Sequence, residues 1–404
     1  AILFTAAAMT RCPRRRELET ATNVSRETSC LPRPLPAGPA RSTAGARHRV
    51  LLVGLSLLAV LLFAACGRIA SPEGWADPVV TDGTALAALQ RGKLSAISID
   101  TGQETWRFPS QADKKTDLKA VYGTPAVGGG RVYVGGFNGT LYALDLTTGA
   151  VIWQQETGGA IIGAPALADG TVYVGSSDSK LYAFDAGTGT LRWTPFKTGG
   201  SIWSRPVVEG GTVYVTSMDK RLYALDSATG ESRWPQPFEA HGAMPSTPAL
   251  AGNTLYVGAL DDRLYAIDAS SGKEVWSFEA SNWVWCEPLV ANGVVYFGGL
   301  DHRLYALDAA TGGERWPQPL RAKGPIRARP ALAAGVLIVT DNAGDVYGLD
   351  PATGEERWPA ITLQSGVLAN PVVVGNDVYL STRGGELLRV DAAAGSSTVV
   401  APLP

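Results

Sequence analysis

An all-β fold of eight four-stranded blades closed into a ring, a β-propeller, is predicted by three features of this sequence. A motif recurs eight times at a near-constant pitch, short alternating strands lie between its copies, and the composition is rich in turn formers. The 404 residues include 47 glycines and 26 prolines against 3 methionines and 3 histidines, which suits many turns and disfavours long helices. At 45% hydrophobic and 18% charged, the chain can bury one large body or two ordinary domains, and the repeat selects a single ring.

The copies align on one aspartate. Asp100, Asp145, Asp185, Asp226, Asp268, Asp308, Asp350 and Asp391 are separated by 45, 40, 41, 42, 40, 42 and 41 residues. In the unit around Asp226, the first strand follows Pro206 as Val207-Val208 and the second is Val213-Tyr214-Val215. The third is Leu222 to Leu225, and the fourth is expected to begin near Trp234. Four short strands in about 40 residues make one blade, and radial repetition shields the sheet edges.

Each motif residue has a physical task. The aspartate, best formed as Asp145, Asp185, Asp226, Asp268, Asp308 and Asp350, precedes a tight turn, where its carboxylate can accept backbone N–H groups two and three residues on. The glycine supplies the positive φ that returns the chain to the next strand. Eight repeated aspartates are therefore read as turn chemistry. The tryptophan recurs as Trp106, Trp153, Trp193, Trp234, Trp276, Trp316 and Trp358, a large apolar plate with one N–H donor, suited to the seam between blades. Burying one contributes about 3 kcal/mol, and truncation to alanine should cost about 3–5 kcal/mol. Val399 occupies the eighth position, and the first unit carries Ser95 and Ser98 in its strand, so ring closure is expected to be weakest between the terminal units.

The pattern Ala-x-Asp-x-x-Thr-Gly-x-x-x-Trp resembles the repeat of the pyrroloquinoline-quinone (PQQ) dehydrogenases and of their non-enzymatic relatives. Among those relatives are outer-membrane assembly lipoproteins of the BamB type, in which a lipobox precedes an eight-bladed propeller. The resemblance covers residues 76 to about 400 and implies that fold. For the dehydrogenases it also implies a calcium-bound quinone, a catalytic aspartate and two adjacent cysteines stacked on the cofactor. This chain has no Cys-Cys pair and no room for the large loops that house such a site. The expectation is no enzyme, no PQQ and no calcium.

Ahead of the repeats, Arg47-His48-Arg49 is followed by the uncharged run Val50 to Cys66. A positive start, an apolar stretch and terminal small residues read as an export signal, and Phe63-Ala64-Ala65-Cys66 resembles a lipobox with Cys66 as the acylated residue. An uncleaved membrane span is the alternative, but only 16 residues of that run precede the cysteine, against roughly 20 needed to cross a bilayer. The expected organisation is a disordered leader or start-site artefact over 1–46, a signal peptide over 47–66, a short linker over 67–75, and the propeller over 76–404. Such a protein would be exported and anchored through lipid on the periplasmic or extracellular side of the cell envelope.

Charge and cysteine usage narrow the function. Residues 1–49 hold nine arginines and three glutamates, which leaves 35 − 9 = 26 basic and 37 − 3 = 34 acidic residues and a net charge of −8 for the rest. An acidic body without a basic stripe gives no footprint for nucleic acid. Cys12 and Cys30 lie in the leader, and with Cys66 committed to lipid, Cys286 is left alone in the repeats as a small buried hydrophobe. His241 and His302 are too few for most metal sites. His302 and the pair Asp261-Asp262 are expected in hydrated turns, and no metal site is predicted. No Gly-x-Ser-x-Gly or phosphate loop occurs.

One series varies where the scaffold repeats. Every unit enters its first strand through a proline, preceded in order by Asp77, Thr124, Ala164, Arg205, Thr247, Glu287, Arg329 and Asn370. Two residues earlier stand Trp75, Tyr122, Ile162, Trp203, Pro245, Trp285, Arg327 and Leu368. If the first strands are innermost, both series face one mouth of the ring. Tyr122, Trp203, Arg205, Trp285, Glu287, Arg327, Arg329 and Asn370 are the candidate contacts for a partner or ligand there. The competing structural reading has these aromatics plug the channel and pack between blades.

Three functions fit. The first is a monomeric envelope scaffold for protein–protein interaction, handling outer-membrane or unfolded envelope proteins through strand addition or mouth contacts. The second is a small-ligand binder or sensor with a quinone or sugar in the aromatic mouth. The third is a PQQ-dependent dehydrogenase.

Overall fold

A computed structural model describes residues 74, 76–89, 92–110 and 116–402. The leader, the lipobox cysteine Cys66 and Trp75 lie outside the described residues. Eight antiparallel sheets of four strands follow one another along the chain, and each is built from four consecutive strands. The blades span 79–108, 126–156, 166–197, 207–239, 249–279, 289–321, 331–362 and 372–402, and we number them 1 to 8. No blade borrows a strand from another, so the ring closes by contact between blades 8 and 1. Neighbouring first strands approach one another, including those of blades 1 and 8, which places them innermost.

The strands form where alternation requires them. Second and third strands such as Thr212–Thr216 and Arg221–Asp226 are buried along nearly their whole length, because both faces meet a neighbouring blade. Fourth strands do not all start at the tryptophan. In blades 3, 4 and 6 they shrink to Phe196–Lys197, Phe238–Glu239 and Leu320–Arg321, so the expected start near Trp234 is corrected by four residues. The cause is proline: Pro195, Pro235, Pro237, Pro317 and Pro319 stand between the tryptophan and the strand and cannot donate to the ladder.

Seven indoles join successive blades. The Nε1 of Trp106, Trp153, Trp193, Trp234, Trp276, Trp316 and Trp358 donates at 2.9–3.3 Å to the carbonyl just after the motif aspartate of the next blade. The motif glycine lies against the face of that indole. At Gly272 φ is +73° and a Cβ would fall 2.7 Å from Trp234, so glycine is required both for the turn and for the contact. The motif aspartate acts as expected of a turn: Asp145 Oδ1 accepts from Thr147 N at 3.1 Å and Thr148 N at 2.8 Å. Hydrogen bonds to Thr148, Thr188, Thr311 and Ala352, a bond from Arg233, and the Ser270 and Ser271 hydroxyls hold Asp145, Asp185, Asp308, Asp350, Asp226 and Asp268 respectively below the ordinary carboxylate value.

Two further clasps are not visible in the motif. The second-strand tyrosines Tyr133, Tyr173, Tyr214, Tyr256 and Tyr296 donate their hydroxyls at 2.9–3.2 Å to the same carbonyls that the indoles use. The aspartate in the turn before the third strand also ties down the segment that joins its blade to the preceding one. Asp261 accepts from His241 N and Gly242 N, both at 2.9 Å, and from Tyr265 Oη at 2.8 Å. Asp261 is therefore a clasp and not merely a solvated turn carboxylate, because backbone donors of the segment joining blades 4 and 5 bind its Oδ2. Asp301 repeats the arrangement with Ser281 N and Tyr305 Oη. His302 is exposed, with Nδ1 3.1 Å from the Lys323 carbonyl.

The terminal seam is the poorest. Val399 is 56% exposed, and among the described residues the buried apolar cluster joining blades 8 and 1 is Ala87, Ile97 and Ala401. Polar bonds supplement it: Ser381 Oγ donates to the Ala76 carbonyl at 3.2 Å, and Asn370 N donates to Asp77 Oδ1 at 2.6 Å.

Candidate functional site

A proline forces the residue before it into extended backbone, so the segment entering each first strand presents alternate side chains to opposite sides. At blade 4 this gives half-buried Trp203 and Arg205 alternating with buried Ile202 and Ser204. The buried members lock the segment. Ile161, Ile202 and Ile326 fill the space beside Gly135, Gly175 and Gly298, where a Cβ would lie 2.1–2.2 Å from the isoleucine Cγ2. Two residues further on, the series reads Ala76, Gly123, Gly163, Ser204, Ser246, Cys286, Ala328 and Ala369, every member small. A Cβ on Gly163 would lie 2.2 Å from the Ser204 carbonyl oxygen, so small side chains are what allow the eight segments to converge. Cys286 takes one of these slots. It is fully buried, its Sγ lies 3.2 Å from the Ala328 carbonyl, and burial pushes its thiol up to about 12.

The outward members gather at one end of the channel. Tyr122, Trp203, Arg205, Trp285, Glu287, Arg327 and Asn370 line a funnel of about 160 Å³, and Arg329 lines the wider channel of about 690 Å³ that it meets. Seven of the eight candidate contacts thus line the funnel, and the eighth, Arg329, lines the adjoining channel. The residues before the prolines also form a hydrogen-bonded belt. Arg205 N donates to Thr247 Oγ1 at 3.0 Å, Arg329 N to Asn370 Oδ1 at 2.6 Å, and Thr124 Oγ1 to Asp77 Oδ2 at 2.6 Å. Asp77 accepts from both neighbours, and burial pushes its carboxyl above the ordinary value against the pull of those bonds. Asp77, Thr124 and Thr247 were not among the candidate contacts, although they share the pre-proline register that would have found them.

Within the funnel, the rings of Trp203 and Trp285 stack at 6.5 Å and 24°, and the Arg327 guanidinium lies 5.1 Å from the centre of Trp285. Glu287 receives Arg205 at 3.2 Å and faces Arg329 at 3.8 Å, so one carboxylate oxygen serves two cations. Among the described residues no carboxylate forms an ion pair with Arg327. Burial, and then the charge of Arg383, draw its guanidinium below the ordinary arginine value. Such a surface can grip flat apolar groups and anions. Among the described residues no three His, Cys, Asp or Glu side chains gather as a metal site.

A family signature described as "Outer membrane protein assembly factor BamB" matches residues 74–140, 90–204, 197–245 and 239–396, which together run through all eight blades. The chain belongs to that family. BamB of Escherichia coli is 36% identical over 92 residues, a stretch covering 22% of this chain and 24% of BamB. Quinohemoprotein alcohol dehydrogenase of Comamonas testosteroni is 37% identical over 86 residues, covering 20% of this chain and 12% of the dehydrogenase. The crystal structure of BamB from Moraxella catarrhalis superposes with a TM-score of 0.58 at 21% identity, covering 68% of this chain and 86% of that one, a likeness of fold. The matched stretches thus span a quarter or less of these curated relatives, and both BamB and a redox enzyme are among them.

Proposed function

We propose that this member of the BamB family is a non-enzymatic scaffold that engages partner proteins of the cell envelope at the funnel mouth of its propeller. The observation that carries the reading is the convergence of Trp203, Trp285, Arg205 and Arg327 on one opening. Their small neighbours are constrained by packing, whereas these four are free to differ from blade to blade. Aromatic and arginine side chains on a rigid frame dominate protein interfaces. The name of the family adds the class of partner, proteins assembled into an outer membrane. Residues 47–66 support an anchored, exported form, with lipid on Cys66.

Affinity capture from envelope extracts tests the reading, with wild type and the Trp203→Ala/Arg205→Ala variant run in parallel. A defined set of proteins retained by the wild type and depleted by the variant is expected. An identical nonspecific set from both contradicts it. Metabolic labelling with palmitate tests the anchor, with incorporation expected in the wild type and absent from Cys66→Ala.

A small ligand in the mouth is the second reading, favoured by the stacked Trp203–Trp285 pair. It predicts tryptophan quenching on titration with quinones or sugars and a bound molecule in the mass spectrum of the purified protein. The dehydrogenase likeness predicts dye reduction with alcohols after addition of PQQ and calcium. The sequence lacks the adjacent cysteine pair associated with that chemistry, and no reduction is expected.

A further inference from the structure

The funnel differs in sign from the protein that carries it. Residues 50–404 sum to 26 − 34 = −8, whereas the mouth gathers Arg205, Arg327 and Arg329 around one largely buried carboxylate, Glu287, which faces Arg205 and Arg329. Its other acid, Asp77, is occupied by Thr124 and Asn370. The hydrogen-bonding capacity is one-sided as well. Nε1 of Trp203 and Nε of both Arg327 and Arg329 are buried without a partner, and indole and guanidinium nitrogens can only donate. Arginines beside an aromatic pair at one opening suit a guest that accepts hydrogen bonds, carries negative charge and has an apolar part.

We propose that the mouth binds an acidic peptide segment of the partner protein, its carboxylate received by Arg327 and Arg329 and an adjoining apolar side chain laid on Trp203 and Trp285. A peptide suits the space better than a lone small acid, because the funnel of about 160 Å³ opens into a channel of about 690 Å³ that can take the continuing chain. The negative body also repels acidic segments elsewhere on the surface, which confines their capture to the axis. This inference rests on the scaffold reading and narrows it to one chemistry.

The test uses the propeller and a short fluorescein-labelled peptide alternating Glu and Phe, compared with peptides carrying Lys or Ser in place of Glu. The Glu peptide is expected to bind with quenching of tryptophan emission, to weaken as salt is raised, and to lose about tenfold in affinity in Arg327→Gln. Arg327→Lys keeps the charge but not the planar fork that pairs with a carboxylate, and an intermediate loss is expected. A matching circular dichroism spectrum and unfolding midpoint show that either variant is folded. Equal binding of the Lys or Ser peptide, or unchanged affinity in both variants, overturns the inference. Displacement by free phenylacetate as efficiently as by unlabelled peptide also overturns it, since the guest is then a small acid. If envelope partners are still captured while the acidic peptide fails, the scaffold reading stands and this inference falls. If nothing is captured, the scaffold reading falls first.

Discussion

The shared carbonyl at each seam makes a quantitative prediction, most cleanly at Ala269. Trp234 is 3% exposed, donates Nε1 to the Ala269 carbonyl at 3.0 Å, and packs with Tyr214 at 5.9 Å. Tyr214 Oη donates to the same carbonyl at 3.2 Å. Trp234→Ala removes the plate between blades 4 and 5 and should cost about 3–5 kcal/mol. Trp234→Phe keeps much of the apolar contact and removes one donor. Because Tyr214 still satisfies the carbonyl, the loss of that hydrogen bond should cost only about 1 kcal/mol. Tyr214→Phe should behave alike for the converse reason. The double variant strips a buried carbonyl of both donors, so it should lose a further ~1–3 kcal/mol beyond the sum of the single changes. Urea unfolding followed by fluorescence and circular dichroism measures all four proteins. Additivity within about 0.5 kcal/mol would refute the shared acceptor, and a Trp234→Ala cost below about 1 kcal/mol would refute the seam.

Stability should fall in acid. The six depressed aspartates contribute stability that is fully present above the unfolded value of about 3.9 and is lost as pH drops through their lower folded values. Unfolding midpoints measured across that range should decline, and Asp226→Asn should flatten the decline. Asp77 acts in the opposite sense, since its raised value means that protonation favours the fold; Asp77→Asn should steepen the net acid loss slightly. Gly163→Ala should destabilise by about 1–3 kcal/mol and alter tryptophan emission, because its Cβ has no room beside the Ser204 carbonyl and the funnel segment must shift. Hydrogen exchange should be fastest in blades 8 and 1, where the shared apolar cluster is smallest; equal protection around the ring would contradict a weak closure.

The fold was legible because its two most informative residues, aspartate and tryptophan, are costly to place and therefore periodic. The funnel was legible because proline fixes the backbone before it, which makes the register of Trp203 and Arg205 readable without coordinates. What the sequence concealed was long-range. Nothing local says that Tyr214 and Trp234 address one carbonyl, or that Asp261 reaches back to His241 and Gly242. Those pairings depend on how neighbouring blades are rotated. The short fourth strands were legible in principle, since Trp234-Pro235-Gln236-Pro237 announces the missing donors. The small series from Ala76 to Ala369 was legible too, as the position between the two functional registers, and it accounts for Cys286 as a size requirement.

The most direct test of the account places a photo-crosslinking amino acid at position 203 in the funnel and, separately, at position 275 on the outer edge of blade 5, where Val275 is 54% exposed. Illumination of cells that express the protein should join partner proteins from position 203 and leave position 275 unlinked. Partners captured from position 275 and none from position 203 would mean that the propeller works through its rim, and the functional reading of its mouth would be wrong.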